Sequence, residues 1–426
     1  MDKIKGLAAW GVVVGIFIST TVCFMDRVNI SVAAPMMIKE YGWDAKSLGY
    51  VFSAFFWGYF LCQMPVGWIA DKFGPRKFLG ISIGSWGVLS ILSALPSNLY
   101  ALIAVRAGLG IAEAPTMPAQ ASFIARHLPR CMVGRIQALN LSAIAVGPLV
   151  ATPFAAYMMT HYGWRSVFYA CAVISFVFAA YWMYVTKKAK MTDDVFLQKD
   201  QGATSENKVV SAIFEKPLRK LEVWGASAQA ACNSYVFTFL VLWLPMYFVS
   251  GRGMPIEEMA IFSTIPWAVL FVMMNVAGFI VDWVKNNTKH NIFWRRMILV
   301  AGYLWCATFI VMIQNVQTST QALLYICTAF VGLAFTWPVG FSLPIEYGGQ
   351  NAGFITGFMN CFGQFASIIQ PLITGHAAST NDWGRAFWWA AVFSLAGAIV
   401  VLVTSKYNTG TSDTASNPPT TANYQP

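Results

Sequence analysis

An all-α membrane protein, with twelve transmembrane helices in two pseudo-symmetric six-helix bundles, is the fold class that three observations predict. The 426 residues are 57% hydrophobic and 11% charged, with a mean hydropathy of +0.56, whereas a soluble chain is about 25% charged. Apolar runs separated by turn or charged residues number twelve. A five-residue echo, Gly67-Trp68-Ile69-Ala70-Asp71 and Gly278-Phe279-Ile280-Val281-Asp282, returns after 211 residues, the trace expected of parallel repeats. A chain this apolar needs lipid as its solvent, and twelve helices of about 20 residues use roughly 240 residues on crossings.

The first six runs fall at about 8–36, 47–70, 77–95, 97–125, 135–160 and 164–186. The second six fall at about 221–249, 258–283, 294–314, 319–345, 350–376 and 384–405. Residues 1–186 are therefore expected to form one bundle and 221–405 the other. Between them, 187–220 is rich in Lys, Asp, Glu, Ser and Gln and reads as a cytoplasmic linker. The Thr-, Ser-, Asn- and Pro-rich stretch 406–426 reads as a disordered cytoplasmic tail. Lys3 and Lys5 precede an apolar stretch with no small-residue cleavage site at the usual position, so that stretch reads as the first span.

Orientation follows from the basic residues. With both termini in the cytoplasm, 21 of the 28 Lys and Arg lie inside, and Lys39, Lys46, Arg165, Arg252 and Arg385 lie outside. Arg27 and Arg106 fall within spans. This bias predicts cytoplasmic termini and an even number of crossings, and together with the absence of a targeting peptide it suits a multi-pass protein of a cell inner membrane. The net charge of +10 is distributed among the loops, with no nucleic-acid module, so the bilayer and not nucleic acid is the expected partner.

Several chemistries are excluded. The sequence holds no phosphate-binding loop, no zinc-protease or hydrolase motif and no clustered Cys and His. Gly108-Leu-Gly110-Ile-Ala-Glu113 lacks the third glycine of a dinucleotide fingerprint. The eight cysteines are scattered, mostly within apolar runs, and indicate neither disulfides nor a metal site. No enzyme and no cofactor is predicted.

What remains is charge where charge is expensive. Asp26 and Arg27 lie in the first span, Arg106 and Glu113 in the fourth. Ionisable groups at such depth face a partner or a water-filled cavity and mark pathways. Arg106 and Glu113, seven residues apart, share a helix face at about 10 Å, while adjacent Asp26 and Arg27 point to different neighbours. The four sum to zero, which predicts a network between helices one and four. Such a network either staples two helices or works in transport, and transport is the stronger reading, because a purely structural buried pair rarely outperforms apolar packing. An arginine offers a planar fork to a carboxylate. If an anionic substrate takes that fork, the acid that leaned on it loses its counter-charge and tends to take up a proton. Substrate and proton binding then favour each other, which is symport.

The second half offers a facing wall. Gly349, Gly353 and Gly357 repeat at four-residue spacing and read as helix packing. Asn360 and Gln364 share a face and either line water or bond a neighbouring helix. Asn233, Ser234 and Tyr235, and Thr336-Trp337-Pro338, are further candidates. The loop Asp71-Lys72-Phe73-Gly74-Pro75-Arg76-Lys77 reads as a gate as well as an anchor, since Asp282 occupies the equivalent place in the other half.

The stretch from Gly67 to Lys77 resembles the signature loop between helices two and three of the major facilitator superfamily. More narrowly, Phe24-Met-Asp26-Arg27-Val-Asn29-Ile-Ser-Val-Ala33, Gly49-Tyr-Val-Phe-Ser-Ala-Phe-Phe-Trp-Gly-Tyr59 and Arg106-Ala-Gly108-Leu-Gly110-Ile-Ala-Glu113-Ala-Pro115 resemble the anion:cation symporter family. That family includes bacterial galactonate, hexuronate, glucarate and phthalate transporters and is related to sialin and the vesicular glutamate transporters. The similarity extends to Trp243-Leu-Pro245-Met-Tyr247 and Thr336-Trp337. The resemblance implies alternating access, proton coupling at Asp26 and Glu113, a substrate carboxylate on Arg106, and Arg27 in the same network. It aligns Tyr59, Trp337 and Asn360 with cavity-lining positions. Sugar-acid members carry a substrate-contacting glutamine in the fifth helix; here Ala138-Leu-Asn140-Leu-Ser142-Ala-Ile144 stands in its place, so that amide is missing or displaced to Asn140. The preceding stretch Pro129 to Arg135 also departs from the pattern.

The expected function is therefore proton-coupled uptake of an organic carboxylate by a monomer, a sugar acid first and an aromatic or small organic acid next. A proton-coupled exporter on the same fold is the competing reading, and a membrane sensor a distant third, since no signalling domain follows.

Overall fold

In a computed structural model, residues 7–128, 130–191, 221–348 and 352–405 are described, and they are all-helical. The expected linker residues 192–220, the tail 406–426, and the side chains of Asp71, Gly349 and Gly353 lie outside the described part. The first half comprises α1 (Leu7–Tyr41), α2 (Ala45–Phe73), α3 (Pro75–Ala94), α4 (Leu99–Glu113), α5 (Thr116–His127), α6 (Arg130–Tyr162) and α7 (Trp164–Lys188). The second comprises α8 (Leu221–Met246), which widens into a π-turn at Tyr247–Gly251, then α9 (Ile256–Asn287), α10 (Asn291–Met312), α11 (Ser319–Gly348), α12 (Ala352–Ser379) and α13 (Trp383–Ser405). Among the described residues, nine helical segments are long and apolar enough to cross a membrane.

Turn chemistry sets the boundaries. Asp44 caps α2 by accepting a hydrogen bond from the Ser47 backbone N–H at 2.8 Å, and Asn98 caps α4 through Tyr100 at 2.8 Å. Gly74, at φ 89°, makes the turn that only glycine adopts readily, and Pro75 opens α3 with its fixed φ. The fourth apolar run is not one helix. It breaks at Ala114-Pro115, because Pro115 has no N–H to continue the ladder, and Glu113 is left at the end of α4. Two further boundaries differ from expectation. α6 already begins at Arg130, and α9 runs on past Asp282 to Asn287, capped by the Thr288 N–H on Val284 O. Asp282 is thus an exposed residue inside a helix and does not close one.

Packing within the halves repeats. In the first, α1 lies against α6 and α7, α2 against α4, and α3 against α4 and α7; in the second, α8 lies against α12 and α13, α9 against α11, and α10 against α11 and α13. Between the halves, α1 meets α8, α2 meets α12 and α6 meets α9, a set that maps onto itself when the halves are exchanged. Outward faces carry Ile81, Val173, Val177 and Phe279, all strongly exposed, as a lipid-facing surface requires.

Several close approaches between the halves lie toward the ends of α1 and α8 remote from where those helices begin. Ser31 Oγ donates to Leu242 O at 2.5 Å and Ser53 Oγ to Ile368 O at 2.9 Å. Phe52 and Trp243 meet edge to face at 5.4 Å. At Gly49 the backbones of α2 and α12 touch, and a Cβ there would stand 2.6 Å from Pro371 O. Gly49→Ala is therefore expected to destabilise the protein by about 1–3 kcal/mol. Gly84→Ala, whose added Cβ meets nothing within 4 Å, should leave the thermal melting of the detergent-solubilised protein unlowered.

Candidate functional site

Asp26 and Arg27 are neighbours on α1, so their side chains leave the helix about 100° apart and serve different partners. Arg27 turns toward α2 and α4. Its Nε donates to Glu113 Oε2 at 2.9 Å, an ion pair with side chains 12% and 0% exposed. Its guanidinium carbon also lies 4.6 Å from the Phe24 ring, 4.9 Å from Tyr59 and 5.1 Å from Phe55. The Cys23 thiol donates to the same Glu113 oxygen at 3.2 Å. Asp26 turns the other way, into the interior of the first half. Its Oδ1 accepts from Ser90 Oγ of α3 at 3.3 Å and Asn29 Nδ2 at 3.4 Å, and Asn29 in turn donates to Cys171 Sγ of α7 at 2.7 Å.

Arg106 sits between these two environments. It is 2% exposed, lies 5.3 Å from the Phe55 ring, and its Nε has no hydrogen-bond partner among the described residues. Asp26 Oδ2 and Glu113 Oε1 are likewise buried and without a partner. An unpartnered buried polar atom costs about 1–3 kcal/mol, and three such atoms in one cluster leave it with hydrogen-bonding capacity that the described residues do not use. Arginine and acid side chains thus converge as expected, but the ion pair is Arg27 to Glu113; among the described residues no acid pairs with Arg106.

Two glycines create this arrangement. A Cβ at Gly110 would fall on the carbonyl oxygen of Phe55, and one at Gly58 on that of Ala107. Their absence lets α2 and α4 touch backbone to backbone, which carries Phe55 and Tyr59 beneath the guanidinium of Arg27.

The remaining expected residues are placed as follows. Asn140 is buried and its amide is engaged within the first half: Nδ2 donates to Gln120 Oε1 at 2.8 Å, and its Oδ1 accepts from Thr20 at 2.6 Å. Gln120 also donates to Ser19 at 2.5 Å, so α1, α5 and α6 are tied by a polar network of their own. Across to the second half, Phe24 of α1 meets Phe237 of α8 at 6.2 Å, and Phe237 meets Trp337 at 5.1 Å, an aromatic path from the buried charges to the facing wall. Asn233 accepts from Thr336 at 2.7 Å. Gln364 donates to half-buried Asn360 at 3.5 Å, and its Oε1 is buried without a partner. Arg76 does not reach across the halves with its described bonds; it holds the start of α3 to the end of α7 through Thr186 at 2.7 Å and Met183 O at 3.1 Å.

Sequence reasoning missed Phe55, Ser90, Gln120 and Thr20. Phe55 carried a signal: it stands one turn before Tyr59, on the same helical face.

The chain matches the model of the Major Facilitator Superfamily over residues 16–369. It is 28% identical over 398 residues to a probable chloroplastic anion transporter of Oryza sativa subsp. japonica, covering 92% of this chain and 67% of that one. It is 28% identical over 430 residues to a probable galactarate/D-glucarate transporter of Escherichia coli, covering 94% and 95%. Among solved structures it resembles a bacterial homologue of the human lysosomal transporter Spinster in an inward-facing, occupied conformation, with a TM-score of 0.74, 15% identity, and coverage of 94% and 98%.

Removing one partner of the buried pair leaves the other uncompensated. Arg27→Met and Glu113→Leu are each expected to cost about 3–5 kcal/mol, and the double variant less than the sum of the two. Thermal melting of the four proteins in detergent measures this cycle.

Proposed function

The chain belongs to the Major Facilitator Superfamily and is a secondary transporter, and on that premise we propose that it carries an organic carboxylate anion into the cell together with protons. Relatives named as anion and galactarate/D-glucarate transporters agree with the anion:cation symporter family within it. The observation that carries the proposal is the buried Arg27–Glu113 pair beside an arginine that no described acid neutralises. The substrate carboxylate binds Arg106 and draws on Arg27. Glu113 then loses its counter-charge and takes a proton, and Asp26, in its separate cradle, is the second proton site. Tyr59, Trp337 and Asn360 line the path of the substrate. Once anion and proton are both bound the site is close to neutral, and a neutral site crosses the low-dielectric interior at least cost.

The reading includes twelve crossings with both termini in the cytoplasm of the cell inner membrane, as the basic-residue bias supports, and a monomer in the bilayer as the working unit. The two six-helix halves rock about the site, and the loop carrying Asp71 and Arg76, with Asp282 in the other half, gates the cytoplasmic end. The bonds of Arg76 to α7 support movement of that loop with the first half.

A sugar acid is the first substrate, on the strength of the galactarate and glucarate relative. An aromatic or small organic acid is the second reading. It is favoured by one observation: the amide of Asn140 is engaged by Thr20 and Gln120, whereas aromatic rings run from Phe24 to Trp337.

Uptake into proteoliposomes under an inward proton gradient tests the proposal with hexonates, hexuronates, hexarates and aromatic acids. One acid is expected to accumulate only with the gradient, and Arg106→Ala and Glu113→Gln to lose that accumulation by about 100-fold, as removal of a charged hydrogen-bonding partner implies. Accumulation by Arg106→Ala equal to that of the parent makes the arginine structural. Movement only under the reversed gradient makes the protein an exporter.

A further inference from the structure

Glu113 and Arg106 stand on one helix, and the side chain of the later residue leans toward the earlier one. Asp26, buried beside Arg27 on α1, is the other acid of the cluster. Arg106 Nε and Glu113 Oε1 nevertheless both lie buried without a partner among the described residues.

We propose that Phe55 is the positioning residue that keeps Arg106 off the acids and ready for the substrate carboxylate; this rests on the carboxylate-transport reading above. One ring, 2% exposed, lies 5.1 Å from the guanidinium carbon of Arg27 and 5.3 Å from that of Arg106. The face of an aromatic ring attracts a cation without accepting any of its N–H bonds. Phe55 thus does for Arg106 what a carboxylate otherwise does, stabilising buried charge, but takes none of the donors of the fork. The two arginines divide their tasks accordingly. Arg27 has Glu113 and two further rings, Phe24 and Tyr59; Arg106 has the one ring.

The position of Phe55 is fixed by backbone and not by side-chain packing alone. Its carbonyl lies where a Cβ of Gly110 would be, and one turn on, Gly58 lies against Ala107 O. These two contacts leave α2 no room to slide along α4, so the ring stays registered between Arg27 and Arg106. Tyr59, one turn further, faces Arg27 only among the described ring contacts.

The test separates the ring's charge distribution from its shape. Phenylalanine analogues carrying one, two and three ring fluorines are placed at position 55, which weakens the attraction for cations while nearly preserving volume. Counterflow of radiolabelled glucarate, with benzoate alongside, is measured in proteoliposomes. KM is expected to rise stepwise to roughly tenfold for the trifluoro ring, with kcat changing less; a purely packing role leaves KM flat. A second arm needs no substrate: the structure of Phe55→Leu should show Arg106 within about 4 Å of Glu113 or Asp26. A flat KM series in a protein that carries either acid overturns the inference and leaves the transport reading standing. If the parent carries neither acid, the KM series is run with the acid that the wider uptake panel identifies; a panel in which no acid moves overturns the transport reading, and the structure of Phe55→Leu then decides whether the ring holds Arg106 off the acids. Arg106 unmoved in that structure overturns the inference in either case.

Discussion

Two guanidinium groups and two carboxylates enclosed by α1, α2 and α4 dominate the energetics of the first half, because each charge taken from water into the protein interior costs several kcal/mol unless it is matched. Matching is only partial here. Arg27 is paired with Glu113 and ringed by Phe24, Phe55 and Tyr59. Asp26 is held by two neutral donors, Ser90 and Asn29. Arg106 touches a ring and no described acid. A core selected for stability alone would replace such a cluster with well-packed apolar residues, so its incompleteness is what ties the fold to the handling of an anion and a proton.

The rest of the first half follows from holding this cluster in place. Glycines at 58 and 110 bring α2 and α4 into backbone contact. Pro115 ends α4 at Glu113, and Thr116 Oγ1 donates to the Glu113 carbonyl at 2.7 Å, which fixes the acid at a helix end. Asn140, Gln120, Thr20 and Ser19 lock α1, α5 and α6 by closing on one another. The seam toward the second half is of a different kind. Ser31 and Ser53 donate to backbone carbonyls across it, and a serine in a helix can exchange such a partner for a carbonyl of its own preceding turn. Bonds of that sort open and close at small cost, as rocking of the halves requires.

Much of this was legible in the sequence, for a physical reason. A bilayer forces long apolar runs and punishes charge within them, so twelve runs and four intramembrane charges stand out against a background that is only 11% charged. The break at Pro115 was legible too, and was passed over because the run through it stays apolar. Other features were hidden by degeneracy. Phe55 is one of 32 phenylalanines, and an aromatic beneath an arginine is written the same way as one facing lipid. The bonds of Asn140 to Gln120 and Thr20 were hidden because those partners lie 20 and 120 residues away, and no local pattern reveals them. Asp282 looked like a helix end because a charged residue followed an apolar run, whereas the helix continues through polar Lys285, Asn286 and Asn287.

The central claim is that anion binding and protonation favour each other, because both draw on the same arginines and acids. Proton uptake by the purified protein in weakly buffered detergent solution, recorded as the transported acid is added, tests this without any gradient or membrane. The solution is expected to become more alkaline on binding, saturating with the acid, and Glu113→Gln to diminish the signal. Binding that leaves the pH unchanged, or that releases protons, contradicts the claim.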